Sequence, residues 1–291
     1  MSAFGLEDFC IPGEKSILKS IFSSASSESE NESEEEFRCR SGNDDSEEVA
    51  TGAMVPAASM EGESCDGFRT IDACNGVILS IFENKFLGIA HQLWPAALHL
   101  TRYFENNPAL LEPNRAGAIS VIELGAGIGL CGMTLSALGC RHVILTDLEE
   151  AISTLSKNVA INRGKLSERV DVQVLRWGDS SDLESVLSNL ASSTPPPLIV
   201  ASDCVYWECL FHPLFSTISE LVVKRGSPVY IAHTKRWKKD EKFFLLCRKH
   251  MSVEVVDELV EQVPEPNSSS GRVRRRVSRI YRISHKNFEV L

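Results

Sequence analysis

Three glycines at alternate positions, Gly125, Gly127 and Gly129, close the apolar run from Ala118 to Leu124, and an acid, Glu123, sits just ahead of them. Glycine in such a loop lets backbone approach a ligand where any Cβ would collide. Asp147 ends the next apolar run, 22 positions after Gly125, where a carboxylate can bridge two ribose hydroxyls. A dinucleotide fingerprint needs a third glycine where Leu130 stands, so the match to a pyrophosphate loop fails. Glu123 suits a cationic ligand better than a diphosphate, and a nucleoside with an ammonium and a sulfonium but no phosphate is S-adenosylmethionine. The same residues also allow a phosphate-binding α/β domain or a purely structural glycine turn.

Residues that end successive strands of an open α/β sheet share one rim with the ligand. Trp177 follows a third apolar run and offers adenine a flat stacking surface; a core tryptophan is an equal reading. Asp203 and Tyr206 follow a fourth run, Leu198 to Ala201, and a carboxylate there is not a packing choice. Such an acid can orient an amine. In methyl transfer the protein chiefly aligns nucleophile, methyl carbon and sulfur, an orientation worth ~7–11 kcal/mol. An attacking amine must be neutral, and a carboxylate raises its pKa whereas apolar surroundings and a nearby cation lower it. Asp203 therefore reads as a positioning group and proton acceptor, with Tyr206 and Trp207 as a channel wall.

The elements that must carry these residues alternate along the chain. Strand patterns at 118–124, 142–146, 170–175, 197–202 and 228–233 interleave with helix patterns at 129–138, 149–163, 180–191, 209–224 and 238–250. Alternation of this kind implies right-handed crossovers and a parallel sheet. Two last runs, Val253 to Leu259 and Val277 to Ile283, flank the polar stretch Pro264 to Gly271 and predict an antiparallel hairpin. The arginines from Arg272 to Arg282 read as strand plus basic loop in preference to a nucleic-acid or nuclear-import patch. Ahead of all this, Phe68 to Asp72 and Val77 to Phe82 flank Asn75-Gly76, a hairpin turn signal, and Pro95 opens a helix. The expectation is a doubly wound, Rossmann-like α/β fold of seven strands, mostly parallel, with a C-terminal antiparallel hairpin and a small N-terminal β-hairpin.

Charge divides the 291 residues in two. Met1 to Asp66 holds 16 acids against 4 bases, while 67–291 is close to neutral, so the net charge of -10 belongs to a leader. Its serine and acid run, Phe22 to Glu36, has too little apolar surface to offset chain ordering and is expected to be disordered. Ser27, Ser29 and Ser33 each precede an acid by three residues, as sites for an acidophilic kinase would. A patch at Ile17, Leu18, Ile21 and Phe22 could form a transient helix. The remainder, 67–291, is expected to be one catalytic domain whose near-neutral charge argues against tight binding to nucleic acid. No run approaches the ~20 apolar residues of a membrane span. Nine scattered cysteines without a C-x-x-C pair argue against zinc and a disulfide framework. A monomeric cytoplasmic protein, with nuclear access, is the expectation.

Together these motifs resemble the seven-β-strand (class I) methyltransferases, and more narrowly the protein-lysine methyltransferases of methyltransferase family 16. The resemblance spans about 68–285, and rests on Leu93-Trp94-Pro95-Ala96-Ala97, Glu123 to Gly129, Thr146 to Glu150 with Asn158 and Asn162, Trp177-Gly178, and Asp203-Cys204-Val205-Tyr206. It implies that Glu123, Gly125, Gly127 and Asp147 hold S-adenosylmethionine, that Trp94 and Trp177 flank it, and that Asp203 and Tyr206 serve a target lysine on a protein substrate. The stretch from His233 to Arg236 through Phe243-Phe244 is similar to the group's basic, aromatic substrate-side loop. Cys204 and Val205 stand where amino-adenine enzymes carry two prolines, so DNA adenine methylation loses support. A small-molecule N-methyltransferase and a non-catalytic cofactor-binding protein are the competing readings.

Overall fold

The computed structural model describes residues 66–286 apart from 75, 112–118, 168, 191–194 and 265–271. The acidic leader, its serines and its short apolar patch lie outside the described residues, except for Asp66. That residue opens strand β1 (Asp66–Cys74), which pairs antiparallel with β2 (Val77–Asn84). Helix α1 (Pro95–Asn106) follows, with Pro95 in its first turn, where a missing N–H costs no hydrogen bond.

The main sheet is built from β3 (Ser120–Leu124), β4 (His142–Asp147), β5 (Arg169–Val174), β6 (Leu198–Ser202), β7 (Val229–Thr234), β8 (Ser252–Pro264) and β9 (Val273–Ser284). Their order is β5-β4-β3-β6-β7-β9-β8, with β5 through β7 parallel and the last two antiparallel, as expected. The connecting helices are α2 (Leu130–Ala137), α3 (Glu149–Asn162), α4 (Ser180–Asn189), α5 (Phe211–Ser219) and α6 (Glu241–His250). Chain order reverses direction between β3 and β6, and the carboxyl ends of these two strands therefore border the crevice where a ligand fits.

Strand periodicity sorts the core into two layers. Val121, Val143, Leu145 and Val200 face one side and pack with Leu100 and Phe104 of α1, Leu135 of α2 and Leu155 of α3. Ile122, Leu124, Ile144 and Ile199 face the other and pack with Val186 of α4, Leu214 of α5 and Phe243 of α6. Every residue of β3 is buried, which explains why its sequence is apolar on both faces and why the lone acid within it stands out.

Three expectations are corrected. The hairpin strands β8 and β9 run well past the apolar stretches that announce them, because ion pairs Glu261–Arg276 (2.7 Å) and Glu258–Arg279 (2.6 Å) join them side by side. The arginines from Arg274 to Arg282 are strand residues throughout, in line with the strand reading preferred for them, and Arg272 lies outside the strand. Phe243 and Phe244 are buried core residues, with Phe244 stacked 3.7 Å from Tyr281, and not members of a substrate-side loop. The helix expected over 209–224 is also divided: α5 gives way to a wider π turn over Glu220–Lys224, and Ile218, Leu221 and Val222 are all buried.

Two buried amides tie the N-terminal hairpin to the domain. Asn158 accepts the Phe82 N–H (2.7 Å) and donates to the Phe82 carbonyl (3.1 Å) and the Ile128 carbonyl (3.0 Å). Asn162, one turn on, accepts from Ser80 N–H (2.9 Å) and donates to its carbonyl (2.8 Å). The pair imitates a neighbouring strand for β2. Replacing Asn158 with Ala leaves an N–H and two carbonyls short of partners, and should lower the unfolding free energy by about 2–4 kcal/mol in chemical denaturation. A loss within experimental error would mean that water takes over those bonds.

Candidate active site

At the end of β3 the chain turns through Gly125, Gly127 and Gly129, each with positive φ (62°, 56° and 82°), before entering α2. A side chain at Gly125 would strike Cys204 Sγ (2.8 Å) and Trp177 Cζ2 (2.9 Å); one at Gly127 would press on the Ala90 carbonyl (3.0 Å). The loop is thus a bare backbone corner walled by Trp177 and the segment before α1. Asp147, at the tip of β4, fixes its shape: Oδ2 accepts the Gly127 N–H (2.7 Å) and Oδ1 the Leu148 N–H (2.8 Å). Both oxygens of Asp147 are already engaged, so only their remaining lone pairs face a ribose.

Glu123 is the other acid of this corner. Its Oε2 accepts the N–H of Gly132 in the first turn of α2 (2.7 Å), where the partial positive charge of a helix start favours an anion. Gly132 must be glycine, since a Cβ would meet Oε2 at 2.7 Å and also collide with Leu145. Oε1 is buried with no hydrogen-bond partner. Burial pushes the Glu123 carboxyl up to about 8; the Gly132 bond opposes this and the charge of Asp147 adds to it. Asp147 is raised to about 6, again by burial, against the bonds from Gly127 and Leu148 and with a contribution from Glu150.

The second corner lies at the end of β6. Asp203 is the one non-glycine with positive φ (55°) among the described residues, a conformation that aspartate tolerates better than most. It is held by three hydrogen bonds: Oδ1 accepts the Thr234 N–H (2.9 Å), and the two oxygens receive the Arg236 guanidinium as a fork (3.2 and 3.0 Å). The Arg236 guanidinium in turn lies 5.0 Å from the centre of the Trp94 ring, whose Nε1 donates to the Ile89 carbonyl (2.8 Å). Tyr206 and Trp207 sit side by side on the same loop, ring centres 5.1 Å apart. Cys204 links the two corners, its buried thiol donating to the Leu124 carbonyl (3.2 Å) beneath Gly125.

Among the expected site residues, Glu123, Gly125, Gly127, Asp147 and Trp177 meet at one corner. Trp94 stands with Asp203 through Arg236. Asp203 itself is ion-paired through both oxygens and not a free carboxylate. Arg236 and Cys204 are the residues whose parts in this arrangement the sequence reading missed. The tie to Arg236 follows from register: β6 and β7 run parallel with Ser202 opposite Ala232, so Thr234 and Arg236, two and four residues further on, reach the acid that follows Ser202.

The fold and site define a class: an α/β protein with a nucleoside corner at its strand ends and an ion-paired acid beside it. A family model described as lysine methyltransferase matches residues 74–250. Protein N-lysine methyltransferase METTL21A of Xenopus tropicalis is 33% identical over 170 residues, 58% of this chain and 72% of its own. The same-named protein of Danio rerio is 34% identical over 175 residues (59% and 73%). Protein-lysine N-methyltransferase EFM3 of Chaetomium thermophilum is 31% identical over 155 residues (52% and 44%). The chain belongs to the lysine methyltransferase family.

S-adenosylmethionine, the methyl donor of this family, fits the residues present. The orphaned Oε1 of Glu123 and a glycine corner that carries no side chain over its backbone suit a cationic nucleoside. Among the described residues no cluster of three or more His, Cys, Asp or Glu could hold a metal ion, and no helix is long and apolar enough to cross a membrane.

Two outcomes follow. The folded state favours protonated Glu123 between its ordinary value of 4.5 and about 8, so this residue contributes stability at low pH that is lost as pH rises through that window. Glu123→Gln should flatten this decline in denaturation experiments from pH 5 to 9; an unchanged slope would place the shift elsewhere. Gly125→Ala should weaken uptake of S-adenosylhomocysteine at least about tenfold by calorimetry, and equal affinity would remove the corner from the binding site.

Proposed function

We propose that the protein methylates a lysine side chain of another protein, with Glu123, Gly125, Gly127, Asp147 and Trp177 holding S-adenosylmethionine, Trp94 walling the site, and Asp203 and Tyr206 receiving the lysine. The observation that carries this reading is the adjacency of the two corners: Cys204, next to Asp203, lies directly under Gly125. An amine beside Asp203 is therefore beside whatever rests on the glycines.

When bound, S-adenosylmethionine supplies a methyl carbon made electrophilic by the sulfonium. The chain's own part is placement. Trp177 closes over the first glycine and limits the nucleoside to one face, and the Glu123 carboxylate gains a cation in exchange for its lost hydration. Asp203 accepts from the lysine nitrogen, and Tyr206 with Trp207 lines the narrow approach that a straight alkyl chain can thread. Orientation of this kind supplies ~7–11 kcal/mol in favourable cases. The relatives' names support a protein acceptor, and the near-neutral charge of 67–291 agrees with a protein more than with nucleic acid. A monomer working in the cytoplasm, with nuclear access, completes the proposal; free thiols such as Cys131, Cys140 and Cys247 suit that setting.

The test is incubation of the purified full chain with methyl-labelled S-adenosylmethionine and lysate from cells lacking it. Label should appear in protein bands and hydrolyse to methyl-lysine, and Asp203→Ala should reduce it by roughly a hundredfold or more while cofactor uptake persists. Label confined to small molecules would overturn the protein acceptor. Full activity in Asp203→Ala would overturn the assigned acid.

A further inference from the structure

We propose that Arg236 is a positioning residue that cancels the charge of Asp203, so that the acid can orient the target lysine without trapping it as an ammonium ion. The proposal rests on the reading of Asp203 as the lysine-receiving group. A bare carboxylate is a poor neighbour for an amine that must attack, because it favours the protonated form. The nitrogen has to release one proton to solvent before its lone pair forms the new bond to the methyl carbon. The carbon–sulfur bond breaks in that step and sulfur keeps the electron pair. The product nitrogen then carries the positive charge.

The geometry answers this difficulty. The Arg236 fork spans both Asp203 oxygens at 3.2 and 3.0 Å, and the acid's side chain is only 2% exposed against 22% for the arginine. Asp203 keeps unused lone pairs for a second donor, while the field beyond it is that of a neutral pair. Arg236 is also built into place. Asp240 accepts the backbone N–H groups of Arg236 (3.1 Å) and Trp237 (3.0 Å), and His233 stands 3.3 Å from the same carboxylate. The Trp94 ring, 5.0 Å from the guanidinium, backs it. Arginine suits this position because its planar fork is always charged and can stack on a ring while bonding a carboxylate.

The titratable groups around the pair are Cys204 and Tyr206 on the Asp203 loop, His233 and Asp240 on the β7 side, and Glu123 and Asp147 beyond Cys204. All of them are common to the wild type and the Arg236 variants, so a difference between pH profiles isolates Arg236.

The experiment uses full-length protein, saturating S-adenosylmethionine and the acceptor purified from the labelled band described above, also at saturation, with kcat measured from pH 6.5 to 10. In wild type, kcat climbs with pH as the bound lysine loses its proton. In Arg236→Gln that rise should move to higher pH by about one unit or more, with activity recovering at the alkaline end. Arg236→Lys, which keeps the charge, should leave the rise near its wild-type position even where kcat falls. A loss in Arg236→Gln that is uniform across pH, or an Arg236→Lys profile displaced as far as that of Arg236→Gln, would overturn charge cancellation and leave only a structural part for Arg236. If Arg236→Gln does not fold, Arg236→Lys decides against wild type: a rise displaced by about one unit or more overturns charge cancellation, and a lowered kcat with an undisplaced rise supports it. A wild type without methyl transfer would instead sink the functional reading on which the inference stands.

Discussion

A carboxyl group near the end of a fully buried strand is the constraint on which this site depends. Glu123 has one oxygen bonded to the first turn of α2 and one oxygen with no partner. Leaving it so is costly, because a buried polar group without a hydrogen bond loses its hydration for nothing. The strain is lessened when the carboxyl takes a proton and removed when a cation arrives. Everything near the acid serves to keep it in that state. Gly132 admits the carboxylate where no Cβ fits, Gly129 turns the chain into the helix, and Asp147 pins the intervening loop by the Gly127 N–H. Among the described residues neither Glu123 nor Asp147 has a lysine or arginine partner, whereas a phosphate-binding loop would bring positive charge.

The second corner follows the opposite logic. Asp203 is also buried, yet each of its oxygens is paired, and the pairing partner is a cation. Breaking a buried ion pair on one side is strongly destabilising, so the left-handed backbone at Asp203 is held by contacts from β7 and its following loop. The two acids therefore differ in what they offer. Glu123 presents an unmet demand for positive charge, and Asp203 presents a direction. A chemistry that brings a cation to one point and a neutral amine to the next needs that contrast.

Much of this was legible from the chain. The five parallel strands and their helices follow from alternating apolar runs, and the glycine corner follows from Glu123, Gly125, Gly127 and Asp147. What escaped did so for physical reasons. Arg236 is one base among several in a polar stretch, and its tie to Asp203 depends on the register of two strands 30 residues apart in sequence. Phe243 and Phe244 lie next to exposed lysines, and only the packing of α6 against β9 shows that they are core. The full length of β8 and β9 escaped because the arginines that extend β9 find their partners among the acids of β8. In each case the missing information was a contact between elements distant in sequence, which periodicity does not carry.

The central claim is that the two corners form one site, with a nucleoside over the glycines and an amine at Asp203. The most direct measurement is a crystal structure of the full chain with S-adenosylhomocysteine. The account predicts electron density along Gly125 and Gly127 at the carboxyl ends of β3 and β4, beside Trp177, with the sulfur facing Asp203 across Cys204. Density at any other edge of the sheet, or a sulfur turned away from Asp203, would contradict it.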